Sequence, residues 1–166
     1  MRSFNGGDMN STLSTLEFLR QQLDGSLPRG VTTEMRYPTA ISKLLGFRIT
    51  AIDVGYAQVE LDADAAIHGN QQGTVHGGTL CELADATIGT AHSTAIAAGE
   101  SFASIDLRIS FFRPVWHSVL TATARQVQHG KTLTHYACEI VREDGKTVAH
   151  AMSTVMTLRG DPADGR

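Results

Sequence analysis

Cysteine is scarce in this chain: Cys81 and Cys138 are the only two, and no C-x-x-C pair exists. That pattern fits two reduced thiols rather than a disulfide framework. A basic excess is also missing, since Lys plus Arg number 14 against 17 Asp plus Glu, for a formal charge of −3. A general nucleic-acid binder needs a broad basic surface, so that class is excluded. No apolar run approaches the ~20 residues that cross a bilayer. The first ten residues, MRSFNGGDMN, lack the apolar core of a secretory signal, and the expectation is a cytoplasmic protein. Internal repeats and low-complexity tracts are absent too.

The chain does have 166 residues, 42% of them hydrophobic and 19% charged. That suits one packed domain and excludes a disordered chain. Residues 1–13 are polar and read as a flexible start. Ser14-Thr15-Leu16-Glu17 has the form of a capping box, and Leu16, Leu19 and Leu23 then make an apolar stripe up to Gly25 and Pro28. A short helix is predicted over Thr39–Leu45, closed by Gly46. Two strands follow, Phe47–Val54 and Tyr56–Ala63, the second alternating Ala57, Val59 and Leu61 with Gln58, Glu60 and Asp62.

Residues 64–78 read as a loop and 79–98 as a long helix with Leu80, Leu83, Ala84, Ile88 and Ala91 on one side. Further strands are predicted through Ile105–Phe111, Val119–Gln128, Lys131–Arg142 and Lys146–Leu158. Hairpin turns are expected at His129-Gly130-Lys131 and Glu143-Asp144-Gly145-Lys146, with glycine supplying a positive φ. Residues 159–166 read as a frayed end. Alternating strands with one long helix covering their apolar face make an α+β domain with an antiparallel sheet of five to six strands.

The densest chemical signal is Asn70-Gln71-Gln72-Gly73-Thr74-Val75-His76-Gly77-Gly78, followed by Asp85 in the helix. Glycines at a helix start let a ligand approach the backbone, and the free amides there favour negative charge. They form a candidate oxyanion hole for a carbonyl under attack. His76 and Asn70 can hydrogen-bond that carbonyl, position water or fix the loop. Gly77 and Asp85 are eight residues apart, ~12 Å along a helix rising ~1.5 Å per residue. One carbonyl carbon cannot touch both. A two-fold axis between antiparallel copies of the helix would bring Asp85 of one subunit to Gly77 of the other, which favours a homodimer with two composite sites.

Other constellations are weaker. His68, His76 and His92 with Glu82 or Asp85 lack recognised zinc spacing, and no metal is expected. Cys81 has no base partner in sequence and reads as a small buried residue. The small residues Gly89, Thr90, Ala91, Ser93, Thr94, Ala95, Ala97 and Ala98 read first as close helix–sheet packing, with room for a ligand beside Asp85 as the other account.

Residues 40–158 resemble the hotdog-fold thioesterases of the PaaI, phenylacetic-acid-degradation type. Leu44-Leu45-Gly46, Asn70, Gly73, His76, Gly77, Gly78, Leu83 and Asp85 match the family pattern, and the turns at Gly130-Lys131 and Asp144-Gly145-Lys146 resemble its hairpins. The resemblance implies a hotdog fold over 39–159, with an N-terminal extension at 1–38 and a flexible tail at 160–166. It also implies hydrolysis of an acyl-CoA to free acid and CoA, without a cofactor. Asp85 would be general base or nucleophile, and the Gly77 amide, with Gly78, would polarise the carbonyl. His76 and Asn70 would orient the thioester and loop, and Ser104 would hold the water. Gly73, Arg113 and Lys131 are expected to bind substrate, with Arg108 and Arg125 as further candidates for the CoA phosphates. The assembly expected is a homodimer, paired into a dimer of dimers. Two other readings stay open: a non-catalytic acyl-CoA sensor and a hydroxyacyl-thioester dehydratase, though the Pro-rich loop of dehydratases is missing.

Overall fold

A computed structural model describes residues 12–163. Its centre is a six-stranded antiparallel sheet built from β3 (Arg48–Asp53), β4 (Tyr56–Asp64), β5 (Ser101–Phe111), β6 (His117–His129), β7 (Leu133–Arg142) and β8 (Thr147–Leu158). Their order across the sheet is β3-β4-β6-β7-β8-β5, so β5 and β3 are the two edges. The two short strands β1 (Thr12–Leu13) and β2 (Thr32–Thr33) pair in parallel beside it. The helices are α1 (Thr15–Asp24), α2 (Ala40–Leu45), α3 (Ala65–His68) and α4 (Gly77–Ser93).

α4 lies across one face of the sheet. Leu83, Ala84, Ile88 and Ala91 are fully buried there, as their i, i+1, i+5, i+8 spacing places them on one side of a helix. They meet the inward set of β4, Ala57, Val59, Leu61 and Ala63, which alternates with exposed or half-buried neighbours. This is the α+β arrangement of one long helix on an antiparallel sheet, with six strands.

Several boundaries move. α4 starts at Gly77, two residues before expectation, because His76 caps it: the Gly78 N–H donates to His76 Nδ1 at 2.8 Å. It ends at Ser93, not at residue 98. There the Ser93 hydroxyl donates to Thr90 O, and the Thr94 hydroxyl to Ala91 O and Asp53 O. The expected loop 64–78 contains the single turn α3, capped by Asp64 Oδ1. Gly145 has the expected left-handed φ of 79°, but Gly130 does not. Glycine is needed at 130 for space, since a Cβ would lie 2.5 Å from the Leu133 carbonyl oxygen.

At the N-terminal side, Thr12 and Leu13 are paired in β1, and the rest of the expected flexible start, 1–11, lies outside the described residues. Of the expected frayed end, 161–163 form a 3-10 turn, and 164–166 lie outside. Half of the capping box forms, with the Glu17 N–H donating to Ser14 Oγ. The buried face of α1 is Thr15, Phe18 and Leu19, whereas Leu23 is exposed. α1 packs beside β3 and is tied to it by an Arg20–Asp53 ion pair at 2.6 Å.

Candidate active site

The loop before α4 is organised by Asn70. Its Oδ1 accepts from the Gln72 and Thr74 N–H groups, and its Nδ2 donates to Thr74 Oγ1 at 3.0 Å. Gly73 occupies the left-handed turn position at φ 75° and donates to Asn70 O. Buried Val75 anchors the far side through the carbonyl of Val115. The loop thereby delivers His76 to the N-cap of α4. Asn70 and Gly73 act here as loop formers. Both polar groups of the Asn70 side chain are already engaged.

The cap decides which amides remain available. The Gly78 N–H donates to His76 Nδ1, which accepts through its ring lone pair. Gly78, expected as a second oxyanion donor, therefore has its N–H occupied. The Gly77 N–H has no acceptor among the described residues and stands at the positive end of the helix dipole. The Phe111 ring packs against Gly77, and a Cβ there would meet Phe111 Cζ at 3.0 Å. Phe111 was not anticipated as a neighbour of Gly77. Its signal, an apolar residue ending an edge strand, is common.

Gly77 lines one open hollow with Asn70, Leu80, Phe111 and Arg113. Asp85 lines another, with Gly78, Cys81, Glu82 and Ser104. Across it, the Ser104 hydroxyl on β5 donates to Asp85 Oδ1 at 3.1 Å. β5 carries a bulge between Ser104 and Asp106, which re-aims this stretch beside α4. Glu82 shares the hollow, and burial, together with the charge of Asp85, raises its carboxyl above the ordinary range. Cys81 is only partly buried, not fully as expected, because it faces this opening.

The thioesterase superfamily profile matches residues 72–149, from within this loop through α4, β5, β6 and β7 to the start of β8. The acyl-coenzyme A thioesterase PaaI of Escherichia coli (strain K12) is 38% identical over 112 residues, covering 66% of this chain and 76% of that protein. This chain belongs to the thioesterase superfamily, among its PaaI-type hotdog enzymes. The structure of the E. coli PaaI protein from the phenylacetic acid degradation operon matches this thioesterase with a TM-score of 0.71 and 27% identity, over 89% of this chain and 95% of that one. A mutant structure of the phenylacetic acid degradation protein PaaI from Thermus thermophilus matches with a TM-score of 0.66 and 29% identity, over 71% of this chain and 98% of that one.

The basic residues of the thioesterase separate. Arg113 stays at the Gly77 hollow, its guanidinium donating to the Thr147 carbonyl. Lys131, also expected to bind substrate, lies in the β6–β7 turn at the other end of the sheet. That end carries Ser101 of β5, ten residues from Phe111, or about 30 Å at ~3.3 Å per residue. Within one chain, Lys131 does not reach the hollow. Arg125 stacks over the Tyr56 ring at 4.8 Å, and Arg108 sits opposite Met152 on β5. Of the histidines weighed as metal ligands, His92 is buried in the core against Tyr136 and Thr157, and His68 Nδ1 accepts from the Asp64 N–H. No group of three or more His, Cys, Asp or Glu converges among the described residues.

Proposed function

We propose that this thioesterase hydrolyses acyl-CoA to the free acid and CoA in composite sites, each formed by two copies of the chain. The observation that carries this reading is the division of labour along α4. A free amide at Gly77 and a carboxylate held by Ser104 at Asp85 line separate hollows on one helix, eight residues or ~12 Å apart. The dimer is supported by the edge strand β5, eleven residues long, which carries Ile105 and Phe111 at 54% and 52% exposure. The opposite edge, β3, is six residues long and has α1 beside it. Pairing of such dimers into a tetramer completes the assembly, and the cytoplasm is its compartment.

In the reaction, the Gly77 N–H of one subunit stabilises the charge that develops on the thioester oxygen. Asp85 of the other subunit takes a proton from water as the water oxygen attacks the carbonyl carbon. Collapse of the tetrahedral adduct breaks the C–S bond, and CoA leaves as a thiolate that takes up a proton. The alternative use of Asp85, direct attack to give a mixed anhydride that water then cleaves, needs the same two residues. His76 holds the helix start, Asn70 the loop, and Arg113 meets a CoA phosphate, a role supported by its position at the rim of the Gly77 hollow.

The test is release of free thiol from a panel of acyl-CoAs by the wild type and by Asp85→Ala. Turnover in the wild type that Asp85→Ala abolishes supports the mechanism. Turnover unaffected by the substitution would remove Asp85 from it.

A further inference from the structure

Collapse of the tetrahedral adduct leaves one proton without a source. The departing CoA sulfur takes one up, while Asp85 at that moment holds the proton of the attacking water. The hollow around Asp85 contains three carboxyl groups, Glu82, Asp85 and Asp106, and no lysine, arginine or histidine lines it among the described residues. Two of the three accept hydrogen bonds. Asp85 Oδ1 accepts from the Ser104 hydroxyl at 3.1 Å, and Asp106 Oδ1 from the Thr154 N–H at 2.8 Å. Glu82, half-buried on α4, makes no hydrogen bond or ion pair among the described residues. Where carboxyls crowd without a cation, a proton settles on the one whose charge nothing stabilises. Burial, and after it the charge of Asp85, raises the Glu82 carboxyl above the ordinary range. Cys81 is the other titratable group in the hollow, and burial raises its thiol too, so it brings no charge there.

Helix geometry sets the side of the thioester that Glu82 meets. It precedes Asp85 by three residues, a spacing that holds two side chains ~5–6 Å apart at Cβ on one helix face. In an antiparallel pair that brings Asp85 to Gly77 of the other subunit, each step back along one helix is a step forward along the other. Glu82 then faces Leu80 of the other subunit. Leu80 lines one hollow with Gly77, Phe111 and Arg113, where Arg113 meets a CoA phosphate. The branch of the thioester on that side is the CoA arm, which sets its sulfur toward Glu82.

We propose that Glu82 is the general acid of this reaction, giving its proton to the sulfur of CoA as the thiol leaves. The proposal rests on the composite-site thioesterase reading. Water attacks the carbonyl carbon while Asp85 takes its proton, and the carbonyl electron pair moves onto the oxygen held by the Gly77 N–H. When that pair returns, the C–S bond breaks, its electrons stay on sulfur, and the Glu82 proton bonds to them. The proton on Asp85 then passes to Glu82, and both carboxyls regain their starting states. The products are a free acid and a thiol, with no proton gained or lost by the enzyme.

The test varies the leaving thiol. The acyl group cleaved fastest as its CoA ester is placed on N-acetylcysteamine, an alkyl thiol like that of CoA, and on 4-nitrothiophenol, whose thiolate is stable without a proton. Turnover of both esters is measured for the wild type and for Glu82→Gln, which keeps the size of the side chain and removes the acid. The kcat for the alkyl thioester should fall by about 10–10²-fold, the low end of what a positioned acid contributes, and that for the aryl thioester by less than about twofold. A role in packing alone would lower both alike. Equal losses, or no loss, would overturn Glu82 as the acid and leave hydrolysis at Asp85 standing. A wild type that cleaves neither ester nor any acyl-CoA would overturn the thioesterase reading, and the acid with it.

Discussion

The Ser104 hydroxyl, on an edge strand, donates to Asp85 Oδ1, on the central helix, at 3.1 Å. Oδ2 has no partner among the described residues, so one carboxylate oxygen is fixed and the other is available to water. Asp85→Asn should lower kcat by about 10²–10⁴, the usual contribution of a positioned general base. Ser104→Ala should lower kcat about tenfold with a smaller change in KM, because the base survives but loses its orientation. Steady-state thiol release measures both.

Gly77 is the first residue of α4, a position where proline is favoured. His76 before it has φ −65° and ψ 137°, the extended conformation that precedes proline well. Gly77→Pro therefore deletes the N–H with little cost to the helix, apart from a small shift of the Phe111 ring. The expected result is a loss of about 10²–10³ in kcat with near-native circular dichroism. Retained activity would exclude this amide as the oxyanion donor.

Asn70→Ala removes three side-chain hydrogen bonds from the loop that presents His76. Amide exchange at Gln72 and Thr74 should accelerate, since both N–H groups lose their acceptor. A fall in kcat should accompany it, because the cap of α4 is delivered by that loop. Unchanged exchange would mean that the backbone bridge between Gly69 and Val75 holds the loop alone.

Periodicity carried most of the fold. The inward set of β4 and the buried side of α4 both follow from spacing, because burial on one face repeats every two or 3.6 residues. The features that sequence spacing missed are those set by contacts between distant segments. The start of α4 depends on a His76 side chain acting as a cap, and its end on Thr94 bonding back to Asp53. Gly130 looks like a φ requirement and is a steric one, set by Leu133. Lys131 and Arg113 look equivalent as strand-end cations. Only the register of β5 against β8 puts them at opposite ends of the sheet. The Ser104–Asp85 pair also needed that register, since a bulge follows Ser104 directly.

His92 is fully buried, with Nδ1 beside the Tyr136 hydroxyl at 3.2 Å and Nε2 beside Thr157 Oγ1 at 3.1 Å. Burial, with the charge of His129, pulls its pKa from 6.5 down to about 4, against the opposing charge of Glu100. Between those values the unfolded chain binds the extra proton, so stability is fully present above pH 6.5 and is lost as pH falls toward 4. The loss should reach up to about 3 kcal/mol. Urea midpoints across that window should fall in the wild type, and His92→Gln should flatten this part of the slope. An equal slope in both would place the pH dependence elsewhere.

The composite site is tested most directly by mixing two inactive variants, Asp85→Ala and Gly77→Pro, after denaturing and refolding them together. A two-fold dimer with shared sites gives each heterodimer one intact site, the other carrying both substitutions. Half of a random mixture is heterodimer, so activity should return to about a quarter of the wild-type value. No recovery in a mixture that forms heterodimers would contradict a site built from Asp85 of one subunit and Gly77 of the other.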